Sequence, residues 1–232
     1  MSLLIFGGNG FVGSAAARWA LSQGVKVTCV SRSGRPRVQE PWQSKVDYVR
    51  GDVLEPASYR QHLAQAAAVV HSIGVLLDSR TPLNLFNVYQ GSYEQMNRDS
   101  ALILLGELAN TPKPFVYVSA ERGMFFSPRY LSTKREVEAF LAKQTAIPYA
   151  VVRPGFMYRE QTSLKAIACA VDVLHAAGGL LGSLEKTVIP SKSLHVDVVG
   201  KAIVLAALKP ELRGKTLDVQ DIAKLAADTA SL

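Results

Sequence analysis

The chain begins with an unbroken apolar run, Leu3-Leu4-Ile5-Phe6, and turns at once into Gly7-Gly8-Asn9-Gly10-Phe11-Val12-Gly13. A strand covered on one face alternates apolar and polar positions, whereas a continuous run marks a parallel strand buried on both. After the glycines, Val12, Ala16, Trp19 and Ala20 fall on one helical stripe that ends at Gly24. Short apolar runs then alternate with helical spacing. Strands are predicted at 25–31, 46–49, 67–71, 115–119 and 149–153. Helices are predicted from Glu55-Pro56, where proline suits the first turn, from 93 to 108 through Met96, Leu104 and Leu108, and from 130 to 143. Six β-α units without a short repeat predict an α/β fold, a Rossmann-type doubly wound parallel sheet.

Two stretches break this rhythm. Residues 77–92 have no clear period and contain Pro82 and Gly91, so a long loop contributing to a lid is expected there. Residues 156–232 carry helical spacing at 164–175, a break at Gly178-Gly179 and Gly182, and further helical runs at 196–208 and 221–230. The expectation is one NAD(P)-binding Rossmann domain over 1–232, with a core of about 1–155 and, over about 156–232, a small cap on the carboxyl edge of the sheet and C-terminal additions.

The glycine loop carries the chemistry. Gly7, Gly10 and Gly13 satisfy G-x-x-G-x-x-G, and Gly8, Gly10 and Gly13 satisfy G-x-G-x-x-G, so the register stays open. In either register the glycines permit a tight turn, a close backbone approach to pyrophosphate and close helix packing. The following helix N-terminus, with unpaired N–H groups and its dipole, favours an anion. Gly7, Gly8, Asn9, Gly10, Phe11, Val12 and Gly13 are the expected cradle. At the end of the second strand, where an acid takes the ribose hydroxyls of NAD and an arginine accommodates a 2′-phosphate, the chain offers Ser31 and Arg32. NADP(H) is therefore expected over NAD(H), with Arg35 as a second contact; Arg35 and Arg37 as solvated loop charges are the alternative. Asp52 and Val53 are expected at the adenine edge, and Ser72-Ile73-Gly74 at another carboxyl strand end, where cofactors lie in open sheets. His71 reads as a packed strand-end residue.

Bulk properties narrow the setting. Apolar residues make up 48% and charged residues 19%, an ordinary globular balance. No stretch approaches the ~20 apolar residues of a spanning helix. A net charge of +7 favours an anionic partner: a phosphorylated cofactor, acidic lipid or nucleic acid. No basic stripe with interleaved aromatics argues for nucleic acid. Cys29 and Cys169 are expected as buried free thiols, and the four histidines show no metal spacing, so no metal is expected. The first strand starts at residue 3, so no leader is expected in this chain, compatible with a cytosolic protein or an organellar one whose presequence was removed.

The ordered set of the glycine loop, Gly51-Asp52-Val53, Asn97, Tyr130-Leu131-Ser132-Thr133-Lys134, Val152-Arg153-Pro154-Gly155 and His195-Val196-Asp197 resembles the extended and atypical short-chain dehydrogenase/reductase superfamily across nearly the whole chain. The segments 69–77, 117–120, 130–138 and 152–158 are similar to a narrower group, the mitochondrial short-chain-dehydrogenase-like proteins associated with fungal coenzyme Q biosynthesis and their plastid relatives. More distantly the chain resembles the NADPH-binding accessory subunit of respiratory complex I.

Tyr130 and Lys134, four apart on a predicted helix, share a face. An ammonium there favours tyrosinate and lowers the phenol pKa from its reference near ~10, which fits Tyr130 for proton exchange with a carbonyl or hydroxyl. The resemblance further implies that Lys134 binds the nicotinamide ribose and that Pro154 borders the cofactor. Ser119 is the candidate serine. The family pattern places its serine a couple of residues further on, where this chain has Ala120-Glu121-Arg122, so Ser119 also reads as a plain strand-end hydroxyl. The resemblance implies an NADPH-dependent reductase acting on a quinone precursor or prenyl-lipid in ubiquinone (coenzyme Q) biosynthesis. The alternative is a non-catalytic NADPH-binding structural or regulatory subunit of a quinone-synthesis or respiratory-chain complex. Implied partners are the proteins of a coenzyme Q biosynthetic complex and an acidic membrane surface. Implied location is the matrix face of the mitochondrial inner membrane, as a peripheral protein, with plastid or cytoplasm as the other placements.

Overall fold

A computed structural model describes residues 1–36, 39–75, 91–109, 111, 113–121, 127–160, 169, 172–173 and 192–228. Strand β1 (Ser2–Phe6) runs parallel between β2 (Lys26–Ser31) and β4 (Ala68–His71). Outside them lie β3 (Asp47–Arg50) on one side, and β5 (Phe115–Val118) and β6 (Tyr149–Val152) on the other. Ile5 stands beside Cys29 and Val70, and Phe6 beside Val30 and His71. The apolar run of β1 is buried on both faces, as its pattern requires. Leu3 and Ile5 join the core beneath helix α1 (Phe11–Ser22), while Leu4 and Phe6 join the core on the opposite face. That second layer holds α2 (Arg60–Gln65), α3 (Ser100–Leu108) and α4 (Pro128–Ala142). Leu104, Leu105 and Leu108 are its fully buried anchors, each stabilising by about 1.5–3 kcal/mol through burial.

The chain after Gly155 does more than add a cap. Short strands β7 (Met157–Tyr158) and β8 (Leu194–His195) pair with each other. Helix α5 (Val196–Leu208) then packs beside α1, and β9 (Thr216–Leu217) extends the main sheet beyond β6 as a seventh parallel strand. Helix α6 (Val219–Ala227) covers α5. The physical reason lies in composition: from Val196 to Ala207 α5 is apolar almost all round, so it needs partners on several sides. Gly200 allows the approach, since a Cβ there would meet the Ala15 carbonyl carbon at 2.6 Å.

Other elements shift in detail. The helix expected from 55 becomes a 3-10 turn, Pro56–Ser58, followed by α2, whose last carbonyls are capped by Lys113 Nζ at 2.6–2.7 Å from Leu63, Ala64 and Ala66. The helix expected from 93 opens with a π-helical turn, Glu94–Asp99. The loop expected at 77–92 lies almost wholly outside the described residues, as do the break at 178–182 and most of the helix expected at 164–175. Cys29 is a buried free thiol, pushed up to about 12 by burial. Cys169, by contrast, is exposed: position 169 is helical, and a helical position can face outward even where the neighbouring sequence is apolar. Among the described residues no helix is long and apolar enough to cross a membrane.

Candidate nucleotide-binding cleft

The chain leaves β1 toward β2 on one side and later returns as β4 on the other, so the crevice at their carboxyl ends is the topological switch point of the sheet. A cleft of about 740 Å³ opens there, within the size range of small-molecule sites. Gly7, Asn9, Gly10 and Phe11 form its floor, Ser31 and Arg32 one end, Asp52 and Val53 the rim, and Ser72, Ile73 and Gly74 the opposite wall. The remaining cradle residues lie behind it. Gly8 is pressed against Cys29, where a Cβ would fall 2.2 Å from Sγ, and Val12 packs against the core beneath α1.

Two glycines answer specific demands. Gly7 has φ +81°, the left-handed region that disfavours a side chain. A Cβ on Gly13 would lie 2.3 Å from the Gly7 carbonyl oxygen and 2.6 Å from Ser72 Oγ. Helix α1 therefore starts hard against the strand ends, and its N-cap, Gly10, brings no side-chain cap or first-turn acid. Its first N–H groups are left for an anion beside Phe11 and Val12. The open cleft, the bare helix end and the close glycine packing fit a dinucleotide pyrophosphate.

Asn9 ties the loop to the end of β2. Its Nδ2 donates to Ser31 Oγ at 2.6 Å, the Arg35 carbonyl at 2.7 Å and Ser33 Oγ at 3.1 Å. Arg32 is exposed on the cleft wall, whereas Arg35 is off the lining and contributes its carbonyl to Asn9. Asp52 is fixed at the rim, its Oδ1 accepting from the Leu54 N–H at 3.0 Å.

Tyr130 and Lys134 share the buried side of α4, at the end of the cleft away from Arg32. Lys134 is 2% exposed; its Nζ donates to the Val118 carbonyl at 2.9 Å and the Ile73 carbonyl at 3.4 Å, and lies 4.8 Å from the centroid of the Tyr117 ring. It passes beneath Gly74, where a Cβ would meet Nζ at 3.2 Å. Burial pulls the ammonium down to about 7, against the opposing charge of Glu138. Tyr130 packs with Tyr93, Val75, Met96 and Ala120, and Val75 and Met96 also line the cleft. The expected lowering of the phenol does not occur: burial, with a smaller push from Tyr93, raises it, because Nζ is turned to backbone carbonyls and the Tyr117 face. Tyr130 is a neutral phenol at neutral pH, able to donate a proton.

Ser119 is placed elsewhere. Its Oγ donates to Glu138 Oε1 at 2.5 Å and accepts from Arg135 Nη1 at 3.1 Å, away from the cleft lining. Pro154 is buried past β6, its carbonyl accepting from the Glu121 N–H at 2.9 Å. His71 is packed as expected, its Nε2 2.9 Å from Ser100 Oγ, and burial drives its pKa to about 3. Three residues absent from the sequence-based site support the Tyr130 and Lys134 end of the cleft. Asn97 pairs with the Val75 backbone through both ends of its amide, at 2.9 and 3.3 Å, and Arg135 and Glu138 anchor α4. The signal for Glu138 was present, since it continues the four-residue spacing of Tyr130 and Lys134. Among the described residues no group of three or more His, Cys, Asp or Glu is placed to hold a metal.

Parallel sheet, glycine loop and switch-point cleft together define a Rossmann-type dinucleotide-binding protein. The chain belongs to a family described as NAD(P)H-binding, which matches residues 7–174. It is 34% identical over 203 residues to the MIOREX complex component 2 of Saccharomyces cerevisiae, covering 68% of this chain and 73% of that protein. An uncharacterized chloroplastic protein of Arabidopsis thaliana is 31% identical over 202 residues, covering 83% of this chain and 62% of that one. In fold, the chain is similar to the solved structure of MoeE5 in complex with UDP-glucose and NAD, with a TM-score of 0.65 and 17% identity over 98% of this chain and 81% of that one. The neighbouring solved structures share a short-chain dehydrogenase/reductase-like Rossmann fold.

Proposed function

We propose that this protein is an NADPH-binding component of a mitochondrial assembly that supports coenzyme Q biosynthesis, with the nucleotide held chiefly as a structural or regulatory ligand. The observation that carries this reading is the position of Ser119. A reductase of this build stabilises the substrate oxygen with a hydroxyl beside the tyrosine, and here the strand-end hydroxyl is consumed by the buried Glu138 carboxylate. The name of the yeast relative, a complex component, supports the assembly part of the proposal. NADPH is favoured over NADH because Arg32 offers the 2′-phosphate a charge-assisted bond, while no acid stands at that strand end.

Attachment to the membrane is proposed as peripheral and electrostatic. Lys26, Lys45, Lys143, Arg213 and Lys215 are exposed around the amino ends of the strands, opposite the cleft, and the net charge is +7. Basic side chains at an acidic lipid surface each contribute about 1 kcal/mol. Docking by that edge leaves the cleft facing away from the surface.

One observation favours a catalytic second reading. Tyr130 is a protonated phenol one helical turn from Lys134 at the cleft end, so it is equipped to give its proton to the carbonyl oxygen of a quinone precursor or prenyl-lipid. A bound NADPH would supply the hydride.

Deleting the gene and replacing it with a Tyr130→Phe version separates the readings. Restored coenzyme Q and retained co-purification with other biosynthetic proteins support the structural role. Loss of coenzyme Q with complex and nucleotide binding intact supports the catalytic one. Normal coenzyme Q in the full deletion, without such co-purification, rejects both.

A further inference from the structure

Three consecutive residues at the end of β5 are each held by a different side chain of α4. Lys134 Nζ bonds the Val118 carbonyl at 2.9 Å, Glu138 Oε1 accepts from Ser119 Oγ at 2.5 Å, and Arg135 Nη2 donates to the Ala120 carbonyl at 2.8 Å. Glu138 is the hub. It is 8% exposed, accepts from Arg135 Nη1 at 2.6 Å and Arg153 Nε at 3.0 Å, and is also bonded by Arg153 Nη2. One carboxylate thus joins α4 to the carboxyl ends of β5 and β6. Because Tyr130, Lys134 and Glu138 are successive four-residue steps, they form one buried stripe, with the carboxylate a turn beyond the ammonium.

We propose that Glu138 is the positioning residue for Lys134: it pins the backbone that Lys134 grips and supplies the negative charge that favours the protonated Lys134 side chain beneath Gly74 at the cleft wall. The groups around Lys134 leave that task to Glu138. His71 on β4 is neutral through burial, and Asn97 on the π-helical turn is uncharged. Tyr117 on β5 and Tyr130 on α4 are held protonated by burial. Arg135 on α4 and Arg153 next to β6 are positive, and both pair with Glu138. Of these groups Glu138 alone is an anion. Its own carboxyl would be raised by burial, but hydrogen bonds from Arg153 and Ser119 and the charges of Arg135 and Arg153 hold it below the usual range. Removing it takes the shared carboxylate from two guanidinium groups beside an already desolvated amine, and both the lost anion and the less neutralised cations drive off the amine proton.

This inference rests on reading the cleft as an NADP(H) site. It is tested by titrating NADPH into the full chain from pH 6 to 9, comparing wild type with Glu138→Gln and Arg135→Gln. In the wild type, affinity falls as pH rises through the Lys134 titration. Glu138→Gln moves the midpoint of that fall down by about one pH unit, for about a tenfold loss near pH 7.5 and little loss at pH 6. Arg135→Gln moves the midpoint up, because it removes a cation and leaves the carboxylate less neutralised. A purely structural rivet predicts losses independent of pH, so unmoved midpoints overturn the proposal. Should Glu138→Gln fail to fold, the sign of the Arg135→Gln shift decides alone: an upward shift supports it, and no shift or a downward one overturns it. Absence of saturable NADPH binding by the wild type at every pH overturns the nucleotide reading itself, and this inference with it.

Discussion

Gly13 stands so close over Gly7 that a single added Cβ would lie 2.3 Å from the Gly7 carbonyl oxygen. The glycine loop is therefore shaped by helix packing as much as by the ligand. Gly13→Ala should destabilise the fold by about 1–3 kcal/mol, the usual cost of overpacking, and also weaken nucleotide binding, since α1 must retreat from the strand ends. Denaturant melts paired with an NADPH titration check both; unchanged stability would show that the contact relaxes without cost.

Lys134 is a buried ammonium whose charge costs stability when no ligand is bound. Its pKa in the fold, about 7, lies below the unfolded value, so the folded state gives up its proton first as pH rises. The penalty is complete below about pH 7 and fades as pH climbs toward the unfolded value. Lys134→Met should accordingly raise the apo melting temperature at pH 6, raise it less at pH 9, and weaken NADPH binding. Equal gains at both pH values would contradict the buried-charge account.

Ser119 gives one hydroxyl bond to Glu138, which keeps its arginine partners without it. Ser119→Ala should cost about 1 kcal/mol of stability and lower NADPH affinity by less than Glu138→Gln does, because the pin to the strand end is lost while the Glu138 charge stays. If a substrate is found and Ser119→Ala lowers its turnover about a hundredfold, as loss of an oxyanion donor does, the hydroxyl faces the reaction after all.

Core packing offers a control remote from the cleft. Leu108→Ala, at a fully buried position of α3, should cost about 2–5 kcal/mol and leave the NADPH to NADH affinity ratio unchanged. A changed ratio would mean that the Arg32 end of the cleft depends on that layer.

The central strands were readable because they are buried on both faces, and Leu3 to Phe6 or Val69 to His71 carry that fact in composition alone. The glycine loop was readable because its residues answer local geometric demands. Longer-range features were not. The π-helical turn presents Asn97 to the Val75 backbone 22 positions away, a contact no helical period encodes. The raised Tyr130 phenol follows from where the Lys134 amine points, a matter of tertiary packing. The fate of Ser119 was set by Arg153 and Glu138 meeting across three elements. Helix α5 was foreseen as a helix but assigned to a cap, because its all-round apolarity gains meaning only once α1, α6 and the sheet are seen around it.

The central claim, that the switch-point cleft is an NADPH site read by Arg32, is tested most directly by titrating purified wild type and Arg32→Ala with NADPH and NADH at fixed ionic strength. The account predicts saturable binding of NADPH, weaker binding of NADH by wild type, and loss of most of that difference in Arg32→Ala with NADH affinity little changed. Equal affinities for the two cofactors in the wild type would contradict the assignment at Arg32, and no saturable binding of either would contradict the claim as a whole.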